Sequence, residues 1–127
     1  MSYEEAEVLR ERAEDFLENA KRLFREGKYD LAAFSIEQYC QLILKYKLLV
    51  KVGTYPRTHS LTRLIRELAR ISKNVEELLR PENVLMITRI EDAYIGARYL
   101  PRRYLREEVE AMLEFVERVF KNVIDRV

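Results

Sequence analysis

The sequence predicts an all-α fold: an up-and-down bundle of about five helices making one domain over residues 1–127. Three observations carry this. Apolar residues recur at intervals of three and four in several separate stretches. No stretch alternates apolar and polar residues as a half-buried strand would. Three Gly and three Pro leave little turn material, so the helices are long.

In chain order, Ser2-Tyr3-Glu4-Glu5 reads as a capping box opening the first helix. Leu9, Ala13, Phe16, Leu17, Ala20, Leu23 and Phe24 form its apolar stripe, and Gly27 stops it. The central helix follows at once, from Tyr29 to Val52, so the two pair as an antiparallel hairpin. Its second half, Cys40 to Val50, is apolar on nearly every side and must be covered all round. Glu37, Gln38, Gln41, Lys45 and Lys47 make it too polar for a membrane span. One face is expected on the chain's own helices and another on a second copy. Tyr39 and Tyr46 share a face and suit that interface.

Gly53 ends the central helix, and Thr54-Tyr55-Pro56-Arg57 is a loop because Pro56 disfavours helix at Tyr55. Thr58-His59-Ser60 supplies a polar start for a third stripe, Leu61, Leu64, Ile65, Leu68 and Ile71. Asn74 to Glu77 reads as a capped turn, and Pro81 suits the first turn of the next helix. That helix, weakly patterned through Val84, Ile87, Ile90, Glu91, Tyr94 and Ile95, is expected to end between Gly96 and Pro101. The last begins near Arg103 and carries Leu105, Val109, Met112, Leu113, Val116, Val119, Phe120 and Val123.

The 23 basic and 22 acidic residues nearly cancel, so nucleic-acid contact requires a local basic cluster. Cys40 is alone, which excludes a disulfide framework and reads as a core thiol. The acidic N-terminus lacks a signal-peptide pattern, and the expected compartment is the cytoplasm. The dense Glu, Lys and Arg content suits a thermophile.

Three segments in order, GKYDLAAFSIEQYCQLILKYKLL, GTYPRTHSLTRLIREL and YIGARYLP, together resemble the HEPN domain family. Gly27, Tyr29, Ala32, Phe34, Gln38, Lys45, Pro56, His59, Ser60, Leu61, Tyr94, Arg98 and Tyr99 fall in the family's pattern. The resemblance runs from about Leu9 to Phe120. It implies a helical bundle, a homodimer and an association with nucleotides or RNA. It further implies pairing with a minimal nucleotidyltransferase in a toxin–antitoxin-like module or, in other members, metal-independent ribonuclease activity. Two departures stand out: Gln41 replaces the family's glutamate, and the proline after Arg98-Tyr99 is delayed to Pro101.

The ribonuclease members carry an Arg-x(4–6)-His motif, in which His moves protons and Arg holds the phosphate. Here the positions at that distance before His59 are Val52, Gly53 and Thr54, so the motif is absent in its usual form. Arg98 and Tyr104, with five residues between, resemble an Arg-x4-x-Tyr variant. A tyrosine is a poor general base near neutrality unless its pKa falls. The candidate catalytic residues are therefore Arg98, Tyr104 and His59.

Arg98, Arg102, Arg103 and Arg106, interleaved with Tyr99 and Tyr104, form the most basic stretch, suited to phosphate and base contacts. Its plainer reading is a loop whose arginines pair with Glu107, Glu108 and Glu110. Arg57 and His59, with Lys45 or Lys51 and the amides following Ser60, form a second candidate anion site. The plainer reading of His59 is a packing or capping residue. Glu91 and Asp92 diverge on a helix, so no metal site is expected; neither is a cofactor, since no Walker loop is present. The expected function is a homodimeric nucleotide- or RNA-associated binding module, dimerised through 29–52 and acting with a nucleotidyltransferase. The alternative is a metal-independent ribonuclease using Arg98 with Tyr104 or His59.

Overall fold

A computed structural model describes residues 3–127, so Ser2 of the expected capping box lies outside the described residues. The helices are α1 (Tyr3–Arg25), α2 (Tyr29–Val52), α3 (Leu61–Ala69), α4 (Pro81–Tyr99), α5 (Arg106–Phe115) and α6 (Lys121–Asp125). A 3-10 segment, Lys73–Leu79, links α3 to α4. A π turn, Val116–Phe120, joins α5 to α6, and its junction residues stay right-handed, so the three read as one rod. No strand occurs among the described residues.

The two sharp turns are made by glycines where an L side chain would be strained. Gly27 (φ 75°) lets Lys28 N donate to Leu23 O at 2.9 Å, closing α1. Gly53 (φ 94°) donates to Leu48 O and Leu49 O at the end of α2. At α3, the Ser60 hydroxyl accepts from Arg63 N at 3.3 Å, as a polar helix start should.

The core surrounds α2, which touches α1, α3, α4 and α5. Ile36, Leu44 and Leu48 on α2 meet a shell that includes Leu17, Leu64, Ile87 and Met112. Each such side chain contributes about 1.5–3 kcal/mol of burial. The all-round apolar character of α2 is therefore satisfied within one chain. Cys40, Ile43, Leu44, Leu48 and Leu49 are buried, and Tyr39 packs edge-on against Phe120 with ring centroids 6.0 Å apart. Tyr39 is a core residue and not an interface aromatic, and the large apolar side chains that α2 leaves exposed are Leu31, Val50 and Val52, near its two ends.

One boundary differs from expectation, and the end of α4 falls where it was expected, between Gly96 and Pro101. Ile71 lies beyond α3 and is half exposed. Gly96 does not end α4; it is buried inside it, and a Cβ there would stand 3.2 Å from the Tyr104 hydroxyl. The helix runs on to Tyr99, where Leu100 turns to extended backbone before Pro101. No helix among the described residues is long and apolar enough to cross a membrane.

Candidate functional site

A polar seam crosses this apolar bundle where α2 meets α4. On α2, Phe34, Glu37, Gln38, Gln41 and Lys45 fall on one face at helical spacing. On α4, Glu91, Tyr94 and Arg98 do the same. The loop before α3 adds Tyr55 and His59. The seam holds a side-chain chain of hydrogen bonds. Lys45 Nζ donates to Gln41 Oε1 at 2.9 Å, Gln41 Nε2 to Glu37 Oε2 at 2.8 Å, and Gln38 Nε2 to Glu37 Oε1 at 2.7 Å.

Glu37 has no exposed surface. Burial pushes its carboxyl up to about 7, against the lowering effects of the Gln38 and Gln41 amides and the Arg98 charge; Glu91 adds repulsion. Burial lowers the Lys45 ammonium, and Glu37 opposes that shift. A carboxylate this deep in an apolar helix is costly and marks a place worth explaining.

Arg98 sits at the solvent side of the seam. Its guanidinium carbon lies 4.5 Å from the ring centres of both Phe34 and Tyr94, and 4.8 Å from that of Tyr99. Nε donates to Tyr94 O at 2.7 Å, while Nη1 meets only the Tyr99 hydroxyl, at 3.5 Å. Arg98 makes no ion pair among the described residues. His59 lies over the same Tyr94 ring, centroids 4.4 Å apart. One tyrosine thus gathers the histidine and the arginine that the sequence leaves far apart.

The rest of the basic stretch is spoken for. Arg102 pairs with Glu108 and covers the Tyr104 ring at 3.8 Å; Arg89 joins the same carboxylate at 2.5 Å. Arg106 pairs with Glu110, and Arg103, almost fully exposed, reaches Asp30 at 3.8 Å. The plainer reading of this loop holds for Arg102 and Arg106. Tyr104 is 4% exposed, and its hydroxyl finds no hydrogen-bond partner among the described residues. Burial raises its pKa despite Arg102. It therefore offers no ring to a base, and it is ill placed as a proton acceptor. Tyr99, 70% exposed, keeps a free face.

The chain's own carboxylates occupy an amide of the set following Ser60 and two amides of the basic loop. Glu91 Oε1 accepts from Leu61 N at 2.6 Å, filling the start of α3 beside His59. Asp30 Oδ1 accepts from Tyr104 N at 2.8 Å, and Glu108 Oε1 from Leu105 N at 3.3 Å. Arg57 and His59 are exposed, but the helix start they were expected to share with an anion is already neutralised. An open groove of about 610 Å³ runs over α4, lined by His59, Asp92, Ile95, Leu100 and Arg102 among others. No cluster of three His, Cys, Asp or Glu residues among those described is placed to hold a metal.

Sequence reasoning missed Glu37 as a site residue. Its signal was there: Glu37, Gln38, Gln41 and Lys45 are polar residues at helical spacing inside an otherwise apolar helix.

Residues 6–126 match the family model described as HEPN domain. No curated protein matches the chain.

Proposed function

Because the chain belongs to the HEPN domain family, whose helical modules are associated with nucleotides and RNA, we propose that its Arg98 face binds a nucleotide or a short single-stranded RNA segment. The observation that carries this reading is the state of Arg98. It is the arginine of the basic stretch that is exposed, held against three aromatic rings and, among the described residues, paired with no carboxylate. A guanidinium so placed is preorganised for phosphate, and Tyr99 and His59 supply flat faces for a base.

In the finer reading the module is a homodimer acting beside a minimal nucleotidyltransferase. The exposed apolar side chains best grouped to meet a second copy lie on α4. Leu85, Ile95 and Tyr99 share an exposed face of α4, and Leu100 and Leu105 continue it. The test of binding is titration of a short oligoribonucleotide at rising salt. Affinity should fall steeply with ionic strength, and salt-insensitive or absent binding contradicts the reading.

The convergence of His59 and Arg98 on Tyr94 favours one second reading, metal-independent RNA cleavage. Incubation of RNA with the protein and a chelator separates the two. Binding without cleavage supports the module; cleavage lost in His59→Ala supports the ribonuclease.

A further inference from the structure

The seam places a fully buried carboxylate behind the arginine that faces solvent. Glu37 closes no ion pair among the described residues; its oxygens are held by two amide groups, from Gln38 and Gln41. The charged groups acting on it are Arg98 and Glu91 from α4, and Lys45 on its own helix, which reaches it through Gln41. Cys40, also buried on α2, feels its charge, and His59 lies on the loop side of Tyr94. Arg98 lies over the Phe34 ring, three residues before Glu37 on the same face of α2, and from there its charge favours the ionised carboxylate while that of Glu91 disfavours it, so the balance at Glu37 depends on the net charge around Arg98.

We propose that anion binding at Arg98 is coupled to uptake of one proton by Glu37, because the bound ligand and the buried carboxylate compete for a single guanidinium charge. This rests on the reading that Arg98 binds an anion. The proton comes from solvent and converts the Glu37 carboxylate to a neutral carboxyl. Its new O–H needs an acceptor. Gln41 is fixed in orientation, since Lys45 holds its Oε1. Gln38, half buried, is free to turn its amide and present Oε1 to the Glu37 hydroxyl. A buried carboxyl pushed up to about 7 titrates where such coupling is visible.

The coupling is read by calorimetry near pH 7, titrating the protein with a short oligoribonucleotide that lacks a terminal phosphate. Two buffers of different ionisation enthalpy report proton uptake in the unaltered protein. Uptake of about half a proton is expected for a group near its midpoint. Affinity should fall about tenfold between pH 6 and 8.5, the size of a moderately separated charge pair at an effective dielectric of roughly 20. Glu37→Gln should flatten that dependence, and His59→Gln should keep it. Binding without proton uptake overturns the coupling alone, as does a dependence that survives in Glu37→Gln. Absence of binding at every pH overturns the binding face as well.

Discussion

The hydroxyl of Tyr104 stands 3.2 Å from the point a Cβ on Gly96 would occupy, and it has no hydrogen-bond partner among the described residues. Glycine inside α4 is thus the space in which the basic loop folds back onto its own helix. A buried, unsatisfied hydroxyl costs about 1–3 kcal/mol, so Tyr104→Phe should stabilise the fold by about 1 kcal/mol. Gly96→Ala should gain little alone, because the added methyl crowds the hydroxyl. In the Tyr104→Phe background it should gain up to about 1 kcal/mol from helix propensity. Chemical denaturation of both singles and the double checks this; strict additivity would show the two residues uncoupled.

Glu37 makes stability depend on pH in a definite direction. The unfolded carboxyl ionises in its ordinary range, whereas the folded one keeps its proton up to about pH 7. That contribution is fully present in acid below the unfolded pKa and is lost as pH rises through about 7. At about 1.4 kcal/mol per pH unit, the loss reaches about 3 kcal/mol at most. Thermal unfolding from pH 5 to 8 should show wild type losing stability relative to Glu37→Gln. Parallel curves for the two would remove Glu37 from the explanation.

Glu108 anchors the basic loop. Burial raises its pKa, but Arg102, the Leu105 amide and Arg89 outweigh that and hold it lowered. Removing it leaves Arg102 without its carboxylate and the start of α5 without its cap. Glu108→Ala should cost about 1–2 kcal/mol, measured by denaturant titration. A neutral substitution would mean the loop is held by the Asp30 contact to Tyr104 N instead.

If a second copy docks on the exposed face of α4, sedimentation should report a dimer for wild type. Leu85→Glu and Ile95→Glu should shift it to monomer, while Val50→Glu on α2 should not. The reverse pattern would return the interface to the central helix.

The helices were legible because burial on one side imposes a helical period on the sequence: Ala13, Leu17, Ala20 and Leu23 on α1 are buried where the stripe puts them. The covering of α2 was legible as a need but not by its supplier. Which helix meets Tyr39 depends on long-range packing against Phe120, which local pattern does not encode. The end of α4 between Gly96 and Pro101 was legible, but the place of Gly96 inside the helix was not, because Tyr104 from beyond the helix fills the space beside it. The amides following Ser60 looked open to an anion in the sequence, although Glu91 reaches Leu61 N from elsewhere in the chain. Arg98 stood out as a charge, but its aromatic surroundings required Phe34 from α2 and the return of its side chain onto Tyr94.

The most direct measurement compares the affinity of a short single-stranded RNA for wild type, Arg98→Ala and Arg102→Ala. Arg98 donates to Tyr94 O but pairs with no carboxylate among the described residues, whereas Arg102 is engaged by Glu108 and the Tyr104 ring. A charge-assisted contact of about 1.5–3 kcal/mol should make Arg98→Ala bind about ten- to a hundredfold more weakly, with Arg102→Ala changed far less. Unchanged affinity in Arg98→Ala, or an equal loss in both variants, would contradict recognition through Arg98.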